Sequence, residues 1–270
     1  MLKHVVSRFL VFSFAAYGAL WTAIESVSAF EDKLKPTGAA AYCVLILLSI
    51  ALGAWRAWPA RRVEIRIPTS DSSIVVEFGD IFLKDGCMAI QVNEFFDSLL
   101  GQHVSPHSLH GQFIRDVLGG QSESFDALVT SALAGVPFDT VSRPSGNTKR
   151  YPIGTTASVD VNSKRYLLFA FARTDIATLK ANATVHEFWD ALSGLWDAVR
   201  VRSNGNPVFL PLPGAGLSGV GLPERQLLEL LILSFVYHTK KNKIAKQVTL
   251  VLHPSLRKCI DLKSIKIGEE

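Results

Sequence analysis

The sequence predicts an α/β domain, a mixed and largely parallel sheet flanked by helices, preceded by a two-helix transmembrane hairpin. Three observations carry this. Two apolar stretches lie within the first sixty positions. Short apolar runs then alternate with runs of helical period through the rest of the chain. A glycine-rich loop joins a late strand to a late helix.

The chain has 270 residues, 48% of them hydrophobic, and a net charge of +4. The apolar content is uneven. Beyond residue 60 the mix is that of an ordinary globular domain, long enough to bury a sizeable core. No Lys/Arg run is dense enough to predict nucleic acid as a partner. Lys240, Lys241, Lys243 and Lys246 read as a solvated helix end. Three scattered cysteines, Cys43, Cys87 and Cys259, fit neither a disulfide framework nor a zinc site, and suit a reducing compartment.

The predicted hairpin fills residues 1–60, with spans at about 9–29 and 38–58. Each span has roughly the 20 residues needed to cross about 30 Å of hydrocarbon. The second has no charge before Arg56 and ends in Trp55 and Trp58, rings that favour the interface; the first carries Glu25 near its end. The connector Glu31-Asp32-Lys33-Leu34-Lys35-Pro36 is short and charge-balanced. Lys3 and Arg8 precede the first span, while Arg56, Arg61, Arg62 and Arg66 follow the second. The positive-inside rule then puts both ends and the large domain in the cytoplasm, as a multi-pass protein of the inner membrane. Two other readings stay open: buried core helices, or a signal peptide for the first span.

Residues 61–73 read as a linker, and 74–270 as the folded domain. Ile74–Phe78 and Met88–Val92 are the first expected strands. Leu109–Leu118 and Phe125–Leu133 carry helical stripes, closed by Gly119-Gly120 and Gly135. Thr155–Val161 and Tyr166–Ala172 flank Asn162-Ser163 as a hairpin, the second run apolar on both faces. Thr184 and Glu187 have capping-box spacing at the head of a helix. Strand Pro207–Leu212, helix Pro223–His238 and strand Val248–His253 complete the pattern.

The strongest chemical signal is the run Gly214, Ala215, Gly216, Leu217, Ser218, Gly219 between that strand and that helix. Glycines let backbone N–H groups approach a ligand, and a helix N-terminus adds positive partial charge, so a phosphate or diphosphate is the natural guest. A Rossmann site is disfavoured, because the region that should supply an acid is basic, Tyr237-His238-Thr239-Lys240-Lys241. Asp80 closes a strand, where its carboxylate can accept hydrogen bonds from an exocyclic amine; a turn cap is the competing role. Asn93 ends another strand and can meet a ribose hydroxyl. His103, His107 and His110 lack the accompanying ligands of a metal site. No catalytic constellation is evident, and no cofactor or metal is expected.

These residues together resemble a macro domain, over about residues 74 to 255. Gly79-Asp80-Ile81 resembles the family's adenine-contacting motif, and Asn93 the distal-ribose asparagine. A closer resemblance is to the divergent macro domain of Thoeris anti-phage effectors. It rests on Val92-Asn93-Glu94-Phe95-Phe96-Asp97, on Ser108-Leu109-His110-Gly111-Gln112 and on Tyr151-Pro152-Ile153-Gly154-Thr155. The glycine-rich loop and second asparagine of hydrolytic macro domains are missing here.

The resemblance implies a membrane-anchored effector that binds an ADP-ribose-derived signal. Its implied partners are a TIR-domain enzyme that consumes NAD, the lipid bilayer, and further copies of itself once activated. Oligomerisation would then disrupt the membrane. Asp80, Ile81, Asn93, Ser108, His110, Gly111 and the 214–219 loop are the implied ligand contacts. The alternative is a membrane-tethered hydrolase that processes ADP-ribose groups.

Overall fold

The structure, a computed structural model, describes residues 2–30, 38–68, 70–216 and 219–265. The expected connector 31–36, the side chain of Lys3, and two loop residues, Leu217 and Ser218, lie outside the described set. The chain divides into two compact units. One takes in the residues up to Arg61 together with Asp261–Ile265, and the other spans Arg62–Ile260.

The first unit is built on α1 (Leu2–Ser28) and α2 (Ala39–Ala57). Val6–Ser28 and Ala39–Ala57 have mean hydropathies of 1.4 and 1.8, and both are long and apolar enough to cross a membrane. They run antiparallel: Ser13 meets Gly53, Arg56 lies over the Phe12 ring, and Trp21 stacks on Tyr42 at 5.9 Å. Leu45, Ser49, Gly53 and Ala57 recur every fourth residue, so they share the inward face of α2. A Cβ on Gly53 would lie 2.0 Å from Ser13 Oγ and 2.8 Å from the Ser13 backbone nitrogen. Only glycine permits helices to cross so closely. Val11, Phe14, Leu47 and Trp55 stay exposed on the outer faces.

The second unit contains β1 (Arg62–Arg66), β2 (Ser73–Phe78), β3 (Cys87–Asn93), α3 (Leu109–Gln112), α4 (Ser122–Ala132), β4 (Asp139–Thr140), β5 (Lys149–Arg150), β6 (Thr156–Val161), β7 (Lys164–Thr174), β8 (Ala181–Asn182), α5 (Val185–Arg202), β9 (Val208–Leu210), α6 (Glu224–Lys241) and β10 (Gln247–Leu252). The main sheet has the order β1-β2-β10-β9-β3-β7-β6, and β8 pairs with the end of β7. β2, β10, β9, β3 and β7 are mutually parallel, while β1 and β6 are antiparallel to their neighbours. The sheet is therefore mixed and largely parallel, as its sequence pattern predicts.

β7 shows why both faces are covered. Tyr166, Leu168 and Ala170 pack with Phe113, Phe125 and Val129 from the α3–α4 side. Phe171 points the other way, edge-on to Phe188 of α5, and Trp196 of α5 meets Phe235 of α6. Alternate side chains of one strand thus feed two cores. Trp196 Nε1 donates to Ser234 Oγ at 3.0 Å, which satisfies the buried indole.

One expectation is corrected. The stretch 61–73, expected as a linker, contains β1, which pairs with β2 from Arg62↔Glu77 to Arg66↔Ser73. Its alternating charges, Arg62, Glu64 and Arg66, mask a strand whose backbone finds partners only in three dimensions; charges also suit an edge strand.

The capping box at the head of α5 forms in full. Thr184 Oγ1 accepts from the Glu187 N–H, and the Glu187 carboxylate accepts from the Thr184 N–H at 2.8 Å. Replacing Thr184 with Ala leaves helix donors unsatisfied and should cost about 1 kcal/mol. Urea unfolding of Thr184→Ala beside wild type, read by the α5 tryptophans, measures it.

Candidate functional site

Five parallel strands end on one edge of the sheet. Beyond β2 comes Asp80, beyond β10 His253, beyond β9 the 211–222 loop, at the end of β3 Asn93, and at the end of β7 Thr174. This is the edge where open α/β sheets hold ligands. β2 and β9 are separated by β10 alone. Asp80 and the glycine loop therefore stand two inter-strand steps apart, about 10 Å, the scale of a nucleoside.

Asp80 is exposed and caps the short turn Ile81–Leu83, its Oδ1 accepting from the Phe82 N–H at 2.9 Å. Ile81 is buried in the core and anchors that turn. The cap role and the ligand role are compatible, since a carboxylate has lone pairs for both.

The glycines of the loop divide by role. Gly214 has φ +75°, and a Cβ there would sit 2.6 Å from Val220 and 3.3 Å from Phe171, so this glycine serves the turn. Among the described residues, a Cβ on Gly216 would meet nothing within 4 Å, and one on Gly219 nothing closer than 3.9 Å. At both positions the described residues leave the side-chain direction open. Ala215 is half-buried beside them. α6 begins next at Glu224 without a side-chain cap, leaving its N-terminal dipole available.

Asn93 is more engaged than its strand-end position implied. Its Nδ2 donates to Asp97 Oδ2 at 2.8 Å and to Thr174 Oγ1 at 3.0 Å, and its Oδ1 accepts from the Asp97 N–H at 3.0 Å. Both amide protons are in use, which leaves one carbonyl lone pair for a hydroxyl donor. The turn it clasps holds Phe96 at φ +49°.

Behind Asn93 lies a sealed polar network that sequence reasoning missed. The side chains of Asp97 and Arg143 are 0% exposed. Arg143 Nη1 donates to both Asp97 oxygens, at 3.1 and 2.9 Å, and to Asn147 O at 3.0 Å. The Asn147 N–H also donates to Asp97, at 2.8 Å. Arg143 stacks 4.1 Å over the Phe95 ring. Its Nη2 meets His103 Nδ1 at 3.1 Å; a guanidinium can only donate, so the His103 proton sits on Nε2, facing Ser145 Oγ at 2.9 Å. Glu94, 2% exposed, accepts the Thr174 N–H with both oxygens at 2.9 Å, and burial raises its pKa. Asp97 belongs to a motif already visible in the sequence, but Arg143 is 46 residues away in a loop with no local signal.

The Ser108-Leu109-His110-Gly111-Gln112 motif builds a turn. Ser108 Oγ accepts from the Gly111 N–H at 3.0 Å and donates to Ser105 O at 2.7 Å. A Cβ on Gly111 would fall 2.1 Å from Ser105 O. His110 packs 5.0 Å from the Phe125 ring, and burial lowers its pKa to about 3. His103, His107 and His110 go separate ways: into the arginine network, to an exposed turn and into the core. A concavity lined by Ser70, Asp71, Thr239, Lys240 and Lys243 lies at the opposite, amino-terminal end of β2 and β10. Its lysines complement the C-terminal dipole of α6, a sufficient reason for their presence.

Comparison with known proteins adds a family. Residues 74–253 match the model of the Thoeris protein ThsA macro domain. Thoeris protein ThsA of Bacillus amyloliquefaciens (strain Y2) is 24% identical over 218 residues, covering 77% of this chain and 71% of that protein. Among solved structures, the Oceanobacillus iheyensis macrodomain with ADP is similar at 11% identity and a TM-score of 0.47, over 71% of this chain and 88% of that one. The macrodomain of Mycobacterium tuberculosis DarG follows at 15% identity and a TM-score of 0.43, over 65% and 97%.

Two outcomes test this geometry. Arg143→Met leaves the Asp97 carboxylate buried without its cation and should cost about 3–5 kcal/mol in urea unfolding. Acidification should also act through His110. Its unfolded pKa of 6.5 exceeds its folded value of about 3, so the unfolded state gains protons first as pH falls. Between pH 7.5 and pH 5 this removes about 2 kcal/mol of stability. Glu94, with its raised pKa, works in the opposite direction toward low pH. His110→Leu should flatten the loss relative to wild type; an unchanged slope would refute the assignment.

Proposed function

The chain belongs to the Thoeris ThsA macro-domain family, and on that premise we propose that it is a membrane-anchored anti-phage effector that binds an ADP-ribose-derived signal. The single observation that carries this is the shared sheet edge of Asp80 and the open glycine backbone at Gly216 and Gly219. The adenine amine meets the Asp80 carboxylate. The diphosphate lies on the loop N–H groups, with the dipole of α6 behind it. The distal ribose offers a hydroxyl to the remaining lone pair of Asn93. Leu217 and Ser218, expected contacts within the loop, lie outside the described residues. Ile81, Ser108, His110 and Gly111 complete the proposed set of ligand contacts.

A TIR-domain enzyme that consumes NAD supplies the signal in this reading. The hairpin α1–α2 spans the inner membrane with both ends in the cytoplasm, as Arg8 in the first turns of α1, Arg56 in the last turn of α2, and Arg61 and Arg62 beyond it favour. The signal binds an assembled state more tightly, and so populates it. Assembly gathers the hairpins, and the gathered hairpins breach the bilayer. The protein acts by binding in this reading; both amide protons of Asn93 are already engaged, with Asp97 and Thr174.

Calorimetry of the full chain in detergent micelles with ADP-ribose tests the pocket. Asp80→Ala should weaken binding at least about tenfold, equivalent to about 1.4 kcal/mol. Gly216→Val should preserve folding, because its Cβ enters open space, yet block the diphosphate. Wild-type heat that is absent with every ADP-ribose derivative, or undiminished in both variants, would contradict the reading.

A further inference from the structure

The segment after β10 touches, in sequence, both parts of the chain that the proposed function must connect. Its first half, Pro254–Lys258, starts from His253 on the ligand edge. Arg257 lies 5.1 Å over the ring of Phe78, the residue just before Gly79-Asp80. Burial raises the thiol pKa of Cys259, and the carboxylate of Glu224, the first residue of α6 after the glycine loop, is near enough to raise it further. One short stretch therefore contacts residues adjoining each wall of the pocket. Ile260, 3% exposed, closes this half.

The second half belongs to the hairpin unit. Asp261 uses its two oxygens differently. Oδ1 accepts from the Lys263 N–H at 3.0 Å and shapes the turn Leu262–Ser264, while Oδ2 pairs with Arg8 of α1. Lys263 Nζ donates to Arg56 O at 2.8 Å, in the last turn of α2. That carbonyl is among those an α-helix leaves without an internal donor, and a cation is favoured there. Leu262, 1% exposed, lies between Asp261 and Lys263 in sequence. Each helix of the hairpin is thus held by one residue of the same turn.

We propose that residues 254–265 form a strap that reads the nucleotide edge and holds the hairpin closed through Asp261–Arg8 and Lys263–Arg56. A ligand seated between Asp80 and the glycine loop bears on the Phe78–Arg257 and Glu224–Cys259 contacts. The strap shifts, the ion pair opens, and α1 and α2 become free to assemble. An ion pair of this exposure, 40% and 33%, is weak by itself, which suits a catch that a ligand must release. The strap rests on the proposed signal-binding function, and the test separates the two.

Full-length protein in phosphatidylglycerol-containing vesicles is challenged with ADP-ribose, and dye release is followed. Asp261→Asn keeps the turn-capping oxygen and removes the charge; Lys263→Gln removes the other contact. Each should release dye without ADP-ribose, or lower the ADP-ribose concentration required at least about fivefold. Arg8→Lys, which keeps the charge, should stay as quiet as wild type. Amide exchange at Leu262–Ile265 should be slow in wild type and at least about tenfold faster in Asp261→Asn. Variants as quiet as wild type, with unchanged exchange, overturn the strap. Fast exchange in Asp261→Asn without any ADP-ribose response in wild type upholds the clasp and instead overturns the signal-binding function.

Discussion

The ion pair between Asp97 and Arg143 is the constraint on which the rest of the ligand edge depends. Neither side chain reaches water. A buried pair of this kind adds little net stability, because desolvation offsets most of the attraction, but it is intolerant of partial removal. That asymmetry makes it a fixing device. Asp97 can bind Arg143, Asn93 and the Asn147 N–H at once in one geometry only, so the end of β3 and the 143–147 loop are locked to each other.

From that lock the edge follows. Asn93 bridges Asp97 and Thr174, so the ends of β3 and β7 keep their spacing. Glu94 clamps the same place from the other side through the Thr174 N–H. β9 lies beside β3, and its continuation is the glycine loop. The open backbone at Gly216 and Gly219 is thereby presented next to a rigid floor rather than a pliable one. Under the proposed function, preorganisation of this kind reduces what a nucleotide must supply to order its site. The α1–α2 pair obeys a different constraint, the close approach at Gly53 that only a residue without a side chain allows.

What the sequence made legible were local signals. The spans of the hairpin need only length and apolar content. The capping box at Thr184 and Glu187 needs three residues of spacing. The hairpin of β6 and β7 is marked by Asn162 and Ser163, both at positive φ. What stayed hidden was anything whose partner lies far along the chain. β1 reads as a charged linker until β2 supplies its hydrogen bonds. Arg143 carries no local signal, because its partners Asp97 and Phe95 are distant in sequence. The Ser108-Leu109-His110-Gly111-Gln112 motif was visible as a pattern, but its work is steric and capping: Gly111 against Ser105 O, Ser108 under the Gly111 N–H.

The central claim is that a nucleotide spans Asp80 and the glycine loop. Photolabelling of the full chain with an azido-adenine analogue of ADP-ribose, followed by peptide mapping, tests it most directly. The account predicts label in the peptide containing Gly79–Leu83, suppressed by excess ADP-ribose. Competable label confined to the concavity of Ser70, Asp71 and Thr239, at the far end of the same strands, would contradict it.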